Sequence, residues 1–376
     1  MMETKYNFVK QQIKSKILEG IVLPHGKIGS ENELMKEYNV SRHTVRKAID
    51  ELVNEGWVYR KQGAGTFCAD RTDQKNPIGK AQRKNIALIT TYLSEYIFPS
   101  IIRGAESILS EHGYQVTIFS TNNNHEQEKR VLEAVLSQRF DGLIVEPTKS
   151  SIPNPNINYY LNLERQGIPY VMINAYYEEL EPYFLGMDDV KGGYTQTKHL
   201  LDLGHEQIVG LFKNDDLQGA KRLKGFIKAH REQGIALNPQ HIITYTTEQK
   251  NAKPLEELHR IFKDRSHRPT GIVCYNDELA LKLLDVIREF DIRVPEELSV
   301  VGYDDSFLSV ASEVKLTTIQ HPKVEMGIDA AKLIISCIEQ ERKDRSADGE
   351  QSIIYEPKLV VRHSTAEAKS EKGVAK

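Results

Sequence analysis

The sequence predicts an α/β protein of two lobes preceded by a small winged helix-turn-helix domain. Three observations predict it. Residues 1–70 carry three helical apolar stripes and then two short strands around a Gly-rich turn. From Asn85 onward, short and continuously apolar strands alternate with helices. These strand-helix units are too numerous for one small sheet, so two lobes with a cleft between them are the economical solution. The composition agrees: 376 residues, 39% hydrophobic and 27% charged, describe a soluble globular chain of at least two domains. No apolar run approaches the roughly 18 residues of a membrane helix, and Met1–Lys10 is polar rather than signal-like. Cys68, Cys274 and Cys337 are far apart and form no pair spacing, which argues against disulfides and a thiolate metal site and for the reducing cytoplasm.

The first helix is expected between Tyr6 and Glu19, where Phe8, Val9, Ile13, Ile17 and Leu18 make one stripe. Leu23-Pro24-His25-Gly26 forces a turn, and Ser30-Glu31-Asn32-Glu33 is a capping box that opens a second helix ending at Asn39. Ser41 caps a third helix, whose inner face is Val45, Ala48, Ile49, Leu52 and Val53. Two helices joined by so short a turn form a helix-turn-helix. Trp57–Arg60 and Thr66–Cys68, around Gln62-Gly63-Ala64-Gly65, make a two-stranded wing. Arg42, His43, Thr44, Arg46 and Lys47 lie on the outward face of the third helix. Arginine grips guanine in the major groove, and hydroxyl and main-chain groups at helix starts hold phosphates. Residues 1–84 carry 16 Lys+Arg against 10 Asp+Glu, while the whole chain has a net charge of -3. A basic head on an acidic body fits a polyanion at the head.

Leu23-Pro24, Gly26-Lys27-Ile28, Ser30-Glu31, Val40-Ser41-Arg42, Thr44-Val45-Arg46 and Gly63-x-Gly65-Thr66-Phe67 resemble the GntR family of bacterial winged-helix regulators, over essentially all of residues 5–70. One departure is Gly29, where that family usually has proline. The resemblance implies a dimer that sets two recognition helices in successive major grooves of a palindromic operator. Carried over by position, Glu31, Arg42, Thr44, Arg46, Gln62 and Gly63 touch DNA, with Lys5 on a phosphate and Ser30, Ser41, His43, Lys47, Gly65 and Thr66 completing the interface.

Arg71–Lys84 is polar, aperiodic and contains Pro77 and Gly79, and it reads as a linker. Beyond it, strands are expected at 86–89, 116–119, 142–145, 169–173, 208–212, 242–245, 271–274 and 299–301. Helices are expected near 99–111, 126–137, 191–203, 219–233, 255–263 and 277–290. Ligands in such sheets bind at strand carboxyl ends, where this chain has Thr91-Tyr92, Glu146, Asn174, Asn276-Asp277 and Asp304-Asp305. Arg222 joins them from a helix. Carboxylates, amides, an arginine and aromatics together suit the hydroxyls and apolar face of a sugar. Asp277 and Asp305 are expected to cap the helices that follow them.

Phe140-Asp141-Gly142-Leu143-Ile144, Asp188-Asp189-Val190-Lys191-Gly192-Gly193, Leu203-Gly204-His205, Arg222-x-x-Gly225-Phe226, Tyr275-Asn276-Asp277, Val300-Val301-Gly302-Tyr303-Asp304-Asp305 and Leu316-Thr317-Thr318-Ile319 resemble the effector domain of LacI/GalR repressors, across residues 85–365. The resemblance implies a two-lobed periplasmic-binding-protein-like (LacI-type) fold with crossovers near Asn174, Ile319–Pro322 and Ile353–Pro357. Lobe 1 would then hold about 85–174 and 322–353, lobe 2 about 175–320 and 355–365, with a tail at 366–376. It also implies that Arg222, Asn276 and Asp304 bind sugar hydroxyls and that His321 lines the cleft. The linker lacks that family's minor-groove hinge helix, so a signal to residues 1–70 must travel through the linker or through direct docking.

With both halves, and with Tyr92–Pro99, Thr121–Asn124 and Glu146–Ser150, the whole chain resembles the L-arabinose-responsive repressors of Gram-positive bacteria. The resemblance adds Tyr96 and Phe98 to the cleft and is the sole source of the sugar's identity. It implies a cytoplasmic homodimer with operator DNA and an inducer sugar as partners and no cofactor. A sugar-dependent activator, or a repressor of another pentose or hexose, would share every feature read from the residues. An enzyme is not expected: there is no Gly-x-Gly-x-x-Gly after a strand, no Gly-Lys-Ser/Thr phosphate loop, no His-Glu-x-x-His and no Gly-x-Ser-x-Gly elbow.

Overall fold

The computed structural model of the chain describes residues 4–70, 84–93, 96–138, 140–265, 268–341 and 352–369. The amino-terminal unit runs α1 (Lys5–Leu18), α2 (Glu31–Tyr38), α3 (Arg42–Asn54), β1 (Val58–Lys61) and β2 (Gly65–Cys68). Local chemistry explains its boundaries. Ser30 accepts from the Glu33 N–H while the Glu33 carboxylate reaches back to the Ser30 N–H, and Asn39 ends α2 in the left-handed region at φ 49°. Ser41 then caps α3 by accepting from the Thr44 N–H. Val9, Ile13, Leu34, Val45, Ile49 and Leu52 close the small core, and β1 pairs antiparallel with β2 as the wing.

Lobe 1 begins with β3 (Lys84–Thr90), α4 (Phe98–Glu111), β4 (Tyr114–Ser120), α5 (His125–Ser137), β5 (Gly142–Val145), α6 (Ile157–Arg165), β6 (Tyr170–Ile173) and β7 (Tyr183–Met187). Lobe 2 follows as α7 (Asp189–Asp202), β8 (Ile208–Lys213), α8 (Leu217–Glu232), β9 (Ile242–Tyr245), α9 (Lys253–Lys263), β10 (Gly271–Cys274), α10 (Asp277–Glu289), β11 (Ser299–Asp304), α11 (Leu308–Ala311) and β12 (Thr317–Gln320). The chain then returns to lobe 1 for α12 (Lys323–Glu341) and β13 (Ile353–Tyr355), and ends its sheets with β14 (Lys358–Val360) in lobe 2. Each lobe has one sheet, ordered β13-β7-β6-β5-β3-β4 and β14-β12-β11-β10-β8-β9, parallel except where β14 joins β12.

The apolar strands are continuous because both faces are covered. In β3, Ala87 and Ile89 face one core with α5 and α6, whereas Ile86 and Leu88 face the other with α4 and α12. Lobe 2 repeats the plan, with α9 and α10 over one face and α7 and α8 over the other.

Two boundaries differ from expectation. The first crossover does not come near Asn174: β7 pairs with β6 in the lobe 1 sheet, so lobe 1 runs through Met187. β7 is short, and Gly186 breaks its apolar run because the Phe184 ring fills the space of a side chain there. The tail does not start at 366. The Ala366 carbonyl accepts from His205 Nε2 at 2.9 Å and the Ala368 N–H donates to the Leu203 carbonyl at 2.8 Å, tying this stretch to lobe 2. The expected linker lies, apart from Lys84, outside the described residues. Among the described residues no helix is long and apolar enough to cross a membrane.

Candidate effector cleft and nucleic-acid interface

The cleft lies between the lobes at the strand carboxyl ends and encloses about 890 Å³, solvent at its mouth included. Tyr92, Tyr96, Phe98, Glu146, Arg222, Asn276 and Asp304 line it. Asn174 and His321 do not line it.

Arg222 is the centre of the lobe 2 wall and is 2% exposed. Its Nε donates to Asp189 Oδ1 at 2.8 Å, its Nη1 donates to the Tyr275 carbonyl at 2.7 Å, and its guanidinium stacks on Tyr303 at 3.5 Å from the ring centre. Helix packing makes this possible. A Cβ on Gly193 would stand 2.2 Å from the Arg222 carbonyl, and one on Gly225 would stand 2.1 Å from the Val190 carbonyl, so only glycine lets α7 and α8 approach so closely. Asp189 opens α7 and is thereby brought under Arg222. Burial pushes the Asp189 carboxyl up to about 6, against the pull of Arg222. Arg222 Nη2 stands 3.8 Å from Asp304 Oδ1. That gap is too long for a direct hydrogen bond. A hydroxyl lying between the two groups can accept from the guanidinium and donate to the carboxylate.

On the lobe 1 wall, Glu146 accepts from the Thr91 N–H at 2.9 Å and from Asn174 Nδ2 at 3.0 Å. Burial raises its carboxyl against these bonds. Asn174 Oδ1 in turn lies 3.0 Å from His321 Nε2, so the imidazole donates there. Asn174 and His321 therefore form a buried chain behind Glu146. Burial, with Lys323 and Arg222 nearby, pushes His321 down to about 3. An imidazole depressed from 6.5 contributes stability above pH 6.5 that is lost as pH falls toward 3. Between pH 7 and pH 5 that loss is about 2 kcal/mol, at 1.36 kcal/mol per unit. Chemical denaturation at the two pH values should show this loss in the wild type and a correspondingly smaller one in His321→Gln. Equal losses would mean that His321 is not held neutral.

Tyr96 crosses the cleft: its hydroxyl donates to the Tyr303 carbonyl at 2.9 Å and accepts from the Asp277 N–H at 3.1 Å. The rings of Tyr92 and Phe98 lie 6.1 Å apart and give the cleft an apolar side. Asn276, not Asp277, caps α10, accepting from the Leu279 N–H at 2.9 Å. Asp277 is instead buried within the helix start, where its carboxylate accepts from Thr318 Oγ1 at 2.7 Å and the Ser306 N–H at 2.8 Å. Asp305 accepts from Ser309 Oγ at 3.2 Å beside α11 and also holds Arg362. Sequence reasoning missed Asp189, Lys213 and Asp216. Lys213 Nζ pairs with Asp216 Oδ2 at 3.1 Å on the cleft wall. Both follow from the strand-end rule applied to β8, whereas Asp189 stood in a quoted motif without a role. Among the described residues no group of three or more His, Cys, Asp or Glu side chains is placed to hold a metal ion.

At the other end of the chain, Arg42, His43, Arg46 and Lys47 are exposed along α3, with Thr44 half-buried and Lys5 exposed at the start of α1. Glu31 organises the arginines: it accepts from Arg46 Nε at 2.8 Å and lies 3.7 Å from Arg42 Nε, while Arg42 Nη2 donates to Asn32 Oδ1 at 2.8 Å. Lys47 Nζ sits over the Tyr6 ring at 3.8 Å. Ser30 and Ser41 are engaged as caps at the two helix starts that face outward. Gln62 is exposed, and Gly63 at the wing tip has φ 74° with open space around it. Gly65 is exposed, but Thr66 is packed inward at 8% exposure and does not share this face. Period-two alternation along β2 puts it on the core side.

Residues 5–68 match the bacterial regulatory proteins of the gntR family, and residues 197–365 match the periplasmic binding protein-like domain. The arabinose metabolism transcriptional repressor of Geobacillus stearothermophilus is 48% identical over 364 residues, which is 96% of this chain and 98% of that one. A LacI family transcriptional regulator from Enterococcus faecium, solved with bound ribose, is 26% identical with a TM-score of 0.62, covering 76% of this chain and 100% of its own. The transcription regulator CcpA of Lactococcus lactis, 22% identical with a TM-score of 0.66 over 76% of this chain and 100% of its own, shows the same fold.

Proposed function

The chain belongs to the family of the arabinose metabolism transcriptional repressor and is a sugar-responsive repressor rather than an enzyme, and from that premise we propose that L-arabinose, bound between the lobes, releases a homodimer from a palindromic operator. The observation that carries the reading is the buried Arg222–Asp304 pair, backed by Asp189 and lining the cleft together with Glu146 of the other wall. It sets a donor beside an acceptor at a gap that a sugar hydroxyl bridges. Lys213 and Lys282 are matched by Asp216 and Glu278, and Lys250 lies over the Tyr92 ring. With Arg222 these cations meet an equal number of lining carboxylates, Glu146, Asp216, Glu278 and Asp304, so a neutral polyol fits better than a phosphorylated one. Arg222, Asn276, Asp304 and Glu146 take the hydroxyls, Tyr92, Tyr96 and Phe98 supply ring faces, and Asn174 and His321 orient Glu146 from behind. The sugar acts without a cofactor, in the cytoplasm. Phe307 and Val310, 65% and 47% exposed beside and on α11, offer the apolar patch that a second subunit covers.

Operator titrations with and without L-arabinose test this. Affinity should fall some 5–150-fold with the sugar, the usual range of such couplings. D-ribose or D-galactose acting at lower concentration would replace L-arabinose as effector, and tighter binding with sugar would make the protein an activator. On the DNA side, Arg46, with its Nε held by Glu31, presents its remaining guanidinium edge to bases. Arg46→Ala should lose about 1–3 kcal/mol of discrimination between operator and unrelated duplex. An equal loss on both duplexes would reassign Arg46 to a phosphate.

A further inference from the structure

The carboxyl end of a helix leaves its last carbonyls without partners in the helix. In α1 the Ser15, Lys16 and Ile17 carbonyls find N–H groups of residues 19–22, while the Leu18 carbonyl and that of the capping Glu19 are served from another domain. Asn162, on α6 of lobe 1, donates its amide to the Leu18 carbonyl at 2.5 Å, and Asn158 donates to the Glu19 carbonyl at 3.3 Å. Asn162 is 3% exposed, and its own oxygen accepts from Arg165 Nη2 at 2.6 Å, which turns the amide nitrogen toward α1. The Glu19 carboxylate accepts from Lys129 Nζ of α5 at 3.2 Å and shares the Tyr159 hydroxyl proton of α6, 3.1 Å away, with Glu133 at 3.0 Å, while Ser15 Oγ donates from its own helix at 2.7 Å. Around these contacts Ile17, Leu18, Tyr159 and Leu163 are all buried and belong to one apolar cluster spanning both domains.

An apolar contact alone lets two domains slide, and relative motion is the default where interfaces are small and polar. Here a buried amide bonds one particular carbonyl, and a carboxylate is shared by a lysine and a tyrosine. These bonds fix direction as well as proximity. The same α1 carries the recognition helix: Lys10 Nζ pairs with Glu51 at 2.8 Å and Glu55 at 3.0 Å of α3, and Val9 and Ile13 pack in the core with Val45 and Ile49. Lobe 1, α1 and α3 thus form one continuous mechanical path, and the recognition face is left exposed by it.

We propose that α5 and α6 of lobe 1 form a docking seat for the winged helix of the same chain, and that sugar-driven movement of lobe 1 reaches the recognition helix through this seat rather than through the connecting segment. The proposal rests on the reading that sugar releases the operator. It makes the separation of the two recognition helices in a dimer a property of how the two first lobes are set.

The test uses the full-length chain. Spin labels at Lys36→Cys and Glu106→Cys, both exposed sites, report the distance between the winged helix and lobe 1, and the three native cysteines are buried. The wild-type background should give one narrow distance distribution, with and without operator. Lys129→Glu, which faces Glu19, and Asn162→Asp, which faces the α1 carbonyls, should broaden it. Both should keep L-arabinose affinity within about twofold and reduce sugar-driven operator release to below about fivefold, the bottom of the usual coupling range. Adding Glu19→Lys to Lys129→Glu should restore both the narrow distribution and the release. A broad distribution in the wild-type background, or full release by both seat variants, overturns the proposal. A narrow distribution with no release by L-arabinose in the wild type leaves the seat standing and sinks the effector reading instead.

Discussion

Arg222→Met should cost about 3–5 kcal/mol of folding stability at neutral pH, the loss expected when one partner of a buried ion pair is removed. The Arg222 side chain is 2% exposed, and Asp189, whose carboxylate it holds, is 3% exposed. The methionine keeps much of the apolar stem, so the loss reports the charge and its hydrogen bonds rather than a cavity. The defect should also depend on pH in a definite direction. Burial already holds the Asp189 carboxyl at about 6 with Arg222 present, and removing that cation raises it further. A carboxyl raised above its unfolded value costs the fold stability as pH climbs from the unfolded value through the folded one. The variant should therefore be closest to wild type near pH 5 and furthest from it near pH 8. Urea unfolding at the two pH values measures this, and a loss below about 1 kcal/mol at pH 8 would show that Asp189 carries no charge in the native state.

Asp304→Ala should produce a repressor that binds its operator normally and no longer releases it at ordinary sugar concentrations. Removing the acceptor of a charged hydrogen bond costs about 1.5–3 kcal/mol, or some 10–150-fold in sugar affinity. Folding should suffer less than in Arg222→Met, because Arg222 keeps its 2.8 Å contact with Asp189. The backbone at Asp304 has φ 93°, a region that disfavours any side chain, so alanine there gains nothing conformationally. Asp304→Asn keeps shape and one acceptor and should fall between wild type and alanine. Calorimetric sugar titration and an operator shift assay on the three proteins decide the matter. Wild-type sugar affinity in Asp304→Ala would remove Asp304 from the site.

The legibility of this chain follows the range of the interactions involved. The caps at Ser30 and Ser41, the left-handed stop at Asn39 and the continuously apolar strands each depend on a few neighbouring residues, so the helix-turn-helix, the wing and the strand-helix alternation were readable. The position of the cleft was readable too, since parallel sheets collect ligands at strand carboxyl ends, and Glu146, Arg222, Asn276 and Asp304 do meet there. Which groups face the cavity and which stand behind was not readable. Asn174 follows β6 within lobe 1 and His321 lies in the return crossover after β12, and only the docking of the lobes makes their chain to Glu146. Asp189 and Arg222 are 33 residues apart and are joined because Gly193 and Gly225 let two helices cross at backbone contact. The first crossover moved from Asn174 to Met187 because β7 finds its partner in the lobe 1 sheet, a pairing that its own five residues barely announce. The seat for α1 is the most distant case, with Leu18 and Asn162 lying 144 residues apart. A local pattern states what a segment can become, but partners so far apart in the chain are chosen by the packing of whole elements, and that choice exists only in the folded molecule.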